Sequence, residues 1–181
     1  MKITVRPSFK EESLVHFFSW HEFEELLLLS VSRGVDINAV DRDGWTALMS
    51  AAARTRPQHV KLLVENGADV NKQDGQSETT LNLAMPRSPY RASYRDESFI
   101  SSVRTILDIL MDGGADVNAR GSEGETALHR AVYWGATDVV RCLVERGANL
   151  QARNEDGNTP HQLAVQLSRS REMVELLLLR Y

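Results

Sequence analysis

The stretch Glu65-Asn66-Gly67-Ala68-Asp69-Val70-Asn71 decides the fold, because it returns twice. It recurs as Asp112-Gly113-Gly114-Ala115-Asp116-Val117-Asn118 and as Glu145-Arg146-Gly147-Ala148-Asn149-Leu150, with a weaker copy, Arg33-Gly34-Val35-Asp36-Ile37-Asn38, ahead of them. The glycines set the period. Gly34 to Gly67 and Gly114 to Gly147 are each 33 residues, whereas Gly67 to Gly114 is 47, so the third unit carries 14 extra residues. A fixed period of this length marks a stacked repeat, in which each unit buries its apolar face only against its neighbours.

A second phrase opens each unit: Thr46-Ala47-Leu48, Thr79-Thr80-Leu81, Thr126-Ala127-Leu128-His129 and Thr159-Pro160-His161, with Ser13-Leu14-Val15-His16 as a weaker counterpart. This reads as a helix start. A Ser or Thr hydroxyl accepts from an exposed amide of the first turn, and Pro160 is tolerated where that amide has no helical partner. The small residues Ala51, Ala52, Ala84, Ala131 and Ala164 let the helix lie close to its neighbour. A second helix follows, with Val60, Leu62 and Leu63 in one unit and Val139, Val140, Leu143 and Val144 in another, and it stops at glycine. Each unit is therefore helix, turn, helix and a glycine-ended loop.

On these phrases the chain resembles the ankyrin-repeat family, whose unit of about 33 residues starts on a TPLH-like phrase and ends on a glycine-alanine-aspartate-like one. The resemblance implies an all-α solenoid with β-hairpin-like loops, a single domain of five units at 8–40, 41–73, 74–120, 121–153 and 154–181. The first unit is degenerate, the last truncated, and residues 1–7 form an extension. Terminal repeats tend toward polarity because nothing covers their outer faces. Gln162, Gln166, Ser168, Arg169, Ser170 and Arg171 fit that role, while Phe17, Phe18, Trp20 and Phe23 are read as core sealing the other end.

Composition narrows the function. With 181 residues, 42% hydrophobic and 25% charged, the chain reads as globular and soluble, and a formal charge of −4 offers no general attraction to nucleic acid or to an anionic membrane. Its apolar runs, Leu26 to Leu29 and Leu176 to Leu179, fall far short of the roughly 20 residues of a membrane-spanning helix. Met1 to Lys10 carries no apolar signal-peptide region. One cysteine, Cys142, forms no internal disulfide, which suits a reducing compartment, and the cytoplasm is expected.

Catalytic chemistry finds little purchase. The histidines His16, His21, His59, His129 and His161 lack zinc-ligand spacing, and no metal or other cofactor is expected. His129 is read as a structural imidazole between turns and Cys142 as a small core residue. No nucleophile elbow and no phosphate-cradling glycine loop is present, and the pairs Glu24 with Glu25 and Asp96 with Glu97 read as solvated. The chain is not expected to be an enzyme.

The resemblance implies a binding face instead, made of loop tips and the exposed side of each first helix. Transferred by register, it marks Arg42, Asp43, Trp45, Ala53, Arg54 and Gln73, then Gln76 and Glu78, then Ser122, Glu123, Glu125, Tyr133, Trp134 and Arg153, and then Glu155, Asp156 and Asn158. Trp45, Tyr133 and Trp134 occupy slots expected to be solvent-exposed, where aromatic rings serve as anchors or lie flat on the neighbouring repeat. Acidic tips at Glu123, Glu125, Glu155 and Asp156 would steer a basic partner. The extra residues fall at about 86–99, where Pro86 and Pro89 argue for a projecting loop. In it Arg87, Arg91 and Arg95 alternate with Tyr90 and Tyr94, an interface-like mixture.

The expected function is a non-catalytic module, monomeric when free, that holds or occludes a partner protein; an inhibitor or immunity-type antidote of an enzyme or toxin is its narrower form. Starting at Met1 with two modified ends, the chain reads as complete, with occupancy its only output. Small-ligand binding or an oligomerising structural role is the alternative of another class.

Overall fold

The computed structural model describes residues 29–86 and 96–178. Residues 29–32 are helical, and among the described residues eight α-helices follow: α1 Ala47–Ala53, α2 Pro57–Glu65, α3 Thr80–Leu83, α4 Glu97–Asp112, α5 Ala127–Trp134, α6 Thr137–Glu145, α7 Pro160–Gln166 and α8 Arg171–Leu178, with a 3-10 turn at Ser122–Gly124 before α5. The first helices of successive pairs, α1, α3, α5 and α7, pack in that order as one layer, and α2, α4, α6 and α8 form the second. Among the described residues the only β pairing is two isolated bridges, Val40 with Thr46 and Gln73 with Thr79, at the necks of two loops.

Local chemistry explains the helix ends. The hydroxyls of Thr46, Thr79 and Thr159 accept from the amides of Met49 at 3.2 Å, Asn82 at 3.1 Å and Gln162 at 3.3 Å. At the other end, Gly67, Gly114 and Gly147 adopt φ of +87°, +90° and +88°. The next amide in each case, from Ala68, Ala115 and Ala148, turns back to Leu63, Leu110 and Leu143 at 3.0, 2.9 and 3.0 Å. A Cβ on these glycines would touch nothing, so backbone conformation and not space selects glycine there.

The core runs between the layers as one cluster. Leu48, Leu63, Ile106, Leu107, Leu110, Leu128 and Leu143 are fully buried, each contributing about 1.5–3 kcal/mol relative to exposure. Ala47, Ala51, Ala131 and Ala164 are buried among them and keep the first-helix layer close-set. Asparagine side chains tie the loops together. Asn38, Asn71 and Asn118 each accept from an amide of the next loop, Asp69, Asp116 and Asn149, at 2.8, 2.8 and 2.7 Å. Each also donates to the carbonyl of the glycine two residues earlier in that loop, Gly67, Gly114 or Gly147, at 3.5, 2.9 and 3.4 Å.

The extra residues do not all form a loop. Asp96 caps α4, accepting from Ser98 N at 3.2 Å, and Glu97, Ser98 and Phe99 are helical, so α4 has 16 residues where α2 and α6 have 9. The prolines lie ahead of the cap, which is why they do not prevent this lengthening. Pro86 is buried, and Arg87, Pro89, Tyr90, Arg91, Tyr94 and Arg95 lie outside the described residues. So do the aromatics from Phe17 to Phe23. At the C-terminal end Gln162, Gln166, Ser168, Ser170 and Arg171 are exposed, while Arg169 turns inward and donates to Val132 O at 2.9 Å.

Candidate binding face

Four hairpin-like tips, 41–45, 74–78, 121–125 and 154–158, stand in a row because one local pattern repeats. The first residue's amide donates to the fifth's carbonyl: Asp41 to Trp45 at 2.9 Å, Asp74 to Glu78 at 3.1 Å, Gly121 to Glu125 at 2.7 Å and Asn154 to Asn158 at 3.1 Å. The fourth position is left-handed in all four, at Gly44, Ser77, Gly124 and Gly157. Asp41 Oδ1 accepts from the amides of Asp43 and Trp45, and Asp74 Oδ1 from those of Gln76 and Glu78, all within 2.8–3.0 Å. Neighbouring tips are joined by Gly75 N donating to Asp43 O at 3.4 Å and Glu155 N to Glu123 O at 3.0 Å. The two middle tips are linked at their bases, where Gln73 Nε2 donates to Arg120 O at 2.8 Å.

The tips enclose two shallow depressions. One, of about 400 Å³, is lined by Asp43, Trp45, Asp74, Gly75 and Gln76. The other, of about 290 Å³, is lined by Glu78, Ser122, Glu123, Glu125, Arg130 and Tyr133. The structure thus brings together Asp43, Trp45 and Gln76 in one place and Ser122, Glu123, Glu125 and Tyr133 in another. Arg42, Arg54, Arg153, Glu155 and Asp156 are exposed beside them, with Arg153 Nη1 donating to Gly157 O at 2.7 Å. Trp45 and Ala53 are half-buried, and Asn158 accepts from Gln166 on its side-chain oxygen at 3.0 Å.

Two expectations of exposure are corrected. Trp134 is 6% exposed, its ring set edge-on to Phe99 with centroids 5.9 Å apart at 87°, because the lengthened α4 carries Phe99 over it. Glu78 is 1% exposed and faces Arg130, whose Nη2 lies 2.7 Å from Glu78 Oε1. Arg130 escaped the sequence reading. Its signal was a charged residue inside the alanine-bounded stretch Ala127 to Ala131, where a buried cation requires a buried carboxylate. Room for the pair comes from Gly121, whose Cβ would fall 2.8 Å from Glu78 Oε2 and closer still to Asn82 Nδ2.

Electrostatics at the second depression are unbalanced. Glu125 Oε2 is 3.7 Å from Arg130 Nε, near enough for attraction and too far for a hydrogen bond. Burial holds the Glu125 carboxyl above the usual carboxylate range; Arg130 opposes that rise, and Glu123, Glu78 and Asp156 add to it. Elsewhere, Cys142 is buried, its thiol pushed up by burial and then by the Asp108 charge, so it is a packed side chain and not an activated nucleophile. His129 is fully buried and bonded on both nitrogens, to Thr126 and to Asn158 O at 3.0 Å, as a structural imidazole between repeats. Among the described residues no helix is long and apolar enough to cross a membrane, and no three His, Cys, Asp or Glu side chains are grouped to hold a metal.

A family model described as ankyrin repeats in three copies matches residues 9–87 and 99–181. The chain is 34% identical over 171 residues, 94% of its length, to a mitochondrial disaggregase of Bos taurus, covering 23% of that protein. It is 37% identical over 150 residues, 82% of its length, to the mouse B-cell lymphoma 3 protein homolog, covering 30% of it. To the mouse ankyrin repeat and SOCS box protein 16 it is 32% identical over 121 residues, 67% of its length, and covers 25% of that protein. The chain therefore spans between a quarter and a third of the length of these relatives, or slightly less.

Proposed function

This chain belongs to the ankyrin-repeat family, whose repeats are in general protein–protein interaction modules, and we propose from that premise that it holds or occludes a partner protein through its row of loop tips and works without catalysis. The observation that carries the reading is the pair of depressions. Each is open and shallow, and each sets an aromatic side, Trp45 or Tyr133, against carboxylates on tips held in fixed register by backbone hydrogen bonds. Such preorganised aromatic-and-charged surfaces suit a protein surface better than a small molecule, which requires enclosure. Acidic side chains outnumber basic ones on the four tips, so a basic patch is the proposed complement. The proposed setting is the cytoplasm, with the free protein monomeric and the segment from Arg87 to Arg95 a further contact.

The test is capture from native lysate, comparing wild type with a Trp45→Ala, Tyr133→Ala variant that keeps a cooperative unfolding transition. Trp134 is left intact because it is buried. A partner retained by wild type and lost by the variant supports the tip face. Assaying that partner's own activity in the complex then separates occlusion, as by an inhibitor, from simple holding. Equal retention by both proteins moves the site away from the tips and overturns the reading.

A further inference from the structure

The four tips are built alike but are not joined alike. In register, the amide of the second residue of one tip donates to the carbonyl of the third residue of the tip before it: Gly75 N to Asp43 O at 3.4 Å and Glu155 N to Glu123 O at 3.0 Å. The middle member of that series, Ser122 N to Gln76 O, is absent among the described residues. Its absence traces to the tip at 121–125. Asp41, Asp74 and Asn154 open the other three tips and brace them with a side-chain oxygen, Asn154 Oδ1 accepting from Asn158 N at 2.9 Å. Gly121 has no such oxygen, and a larger residue is excluded because a Cβ would fall 2.8 Å from Glu78 Oε2 and closer still to Asn82 Nδ2. The unbraced tip turns differently. Glu123 is left-handed at φ +59° ahead of Gly124 at φ +65°, whereas in each of the other tips only the fourth residue is left-handed.

Below this seam the same two repeats are tied firmly, by Asn71 to Gly114 O at 2.9 Å and Asp116 N at 2.8 Å and by Gln73 Nε2 to Arg120 O at 2.8 Å. Nearer the tips, side chains close it: Glu78 pairs with Arg130 at 2.7 Å, and Asn82 Nδ2 donates to Glu125 O at 3.2 Å. The inner layer offers little helix here, since α3 has 4 residues where α1 has 7 and α5 has 8. We propose that the row is two rigid pairs of tips, 41–45 with 74–78 and 121–125 with 154–158, hinged at this seam with the base as pivot and the Glu78–Arg130 pair as latch. A hinge of this kind places the change in a few loop residues between units that move whole. The base keeps the register of the tips, and the hinge changes only their spread. The second depression straddles the seam, with Glu78 on one side and Ser122, Glu123 and Glu125 on the other, so opening widens it. The first lies within one pair and keeps its shape. In use, a point that rests on the tip-face reading, the hinge sets the spacing of Trp45 and Tyr133 to the curvature of the partner.

The experiment is nitroxide labelling of the full chain in a Cys142→Ala background, which removes its single, buried cysteine. Labels go on the third residue of each tip in three double variants: Asp43→Cys with Gln76→Cys, Gln76→Cys with Glu123→Cys, and Glu123→Cys with Asp156→Cys. Interspin distance distributions are read by electron paramagnetic resonance in frozen solution. The distribution between positions 76 and 123 is expected to be about twofold broader than the other two. Adding Glu78→Gln, which removes the charge of the latch, should broaden it further in a protein that still unfolds cooperatively, and leave the flanking pairs unchanged. Equal widths in the three pairs overturn the hinge. Broadening of all three by Glu78→Gln, or of none, overturns the latch and the proposal with it. Because every distance is read in the free chain, a failed hinge leaves the binding function standing, and a partner captured away from the tips leaves the hinge standing.

Discussion

Glu78 and Arg130 meet at 2.7 Å across the interface between two repeats, 52 residues apart in sequence, with 1% and 8% of their side chains exposed. The two charges compensate each other inside the stack, with Glu125 3.7 Å from Arg130 Nε as a second counter-charge. Truncating Glu78 removes the one hydrogen-bonded counter-ion of the buried Arg130 and leaves it only the looser attraction of Glu125, so Glu78→Ala should cost up to about 3–5 kcal/mol and lower the urea midpoint. The paired apolar replacement Glu78→Leu, Arg130→Met should restore most of that loss. A Glu78→Ala protein within about 1 kcal/mol of wild type would mean that the pair is solvated.

Asn71 supports the stack differently. Its side chain donates to Gly114 O at 2.9 Å and accepts from Asp116 N at 2.8 Å, whereas the donating bonds of Asn38 and Asn118 stretch to 3.5 and 3.4 Å. Two well-formed bonds at about 0.5–1.5 kcal/mol each place Asn71→Ala at roughly 1–3 kcal/mol. Asn118→Ala and Asn38→Ala should each cost less. Chemical denaturation of the three variants checks the order, and equal costs would refute the geometric argument.

Thr55 is strained. It follows α1 with φ of +54°, in the position that Gly135 takes after α5 with φ of +89° and Ser168 takes after α7 with φ of +51°. A β-branched side chain in the left-handed region costs about 1–2 kcal/mol, part of which glycine returns as unfolded-state entropy. Thr55→Gly should therefore stabilise the protein by about 0.5–1 kcal/mol, visible as a higher melting temperature. A lower one would show that the threonine side chain makes a compensating contact.

Sequence carried the fold because its period is written in residues that have one local job each. Gly67, Gly114 and Gly147 end helices by conformation, and Thr46, Thr79 and Thr159 start them by hydroxyl acceptance, so both phrases were readable without tertiary knowledge. The candidate binding face was legible only in part. Register placed Asp43, Trp45, Ser122, Glu123, Glu125 and Tyr133 around the depressions, since tip geometry is local. It misplaced Trp134, because the covering ring, Phe99, belongs to residues that interrupt the period. It assigned Glu78 to the surface, because the cation that buries it sits 52 residues on, and no local signal links the two.

His129 makes the interface pH-sensitive. Asn158 O only accepts, so Nε2 carries the proton and Nδ1 is the acceptor facing Thr126, whose amide lies at 3.3 Å and hydroxyl at 2.9 Å. Protonating Nδ1 would set donor against donor inside a dry site. Burial, the largest cause, accordingly holds this imidazole below the ordinary histidine pKa. In the unfolded chain it titrates at about 6.5, so between that value and the depressed folded one the unfolded state binds the extra proton. The contribution of His129 is therefore full above about pH 6.5, declines as the pH falls toward the folded value, and is lost below it. Gln162 already serves the next repeat in this position, accepting from Thr159 N at 2.9 Å, so His129→Gln should preserve the helix cap while removing the titration. At about pH 7.5 the variant should be roughly 1 kcal/mol less stable through the lost bond to Asn158. Its stability should then fall less steeply than wild type as the pH is lowered to about 5. Parallel pH profiles for the two proteins would show that His129 does not supply the slope.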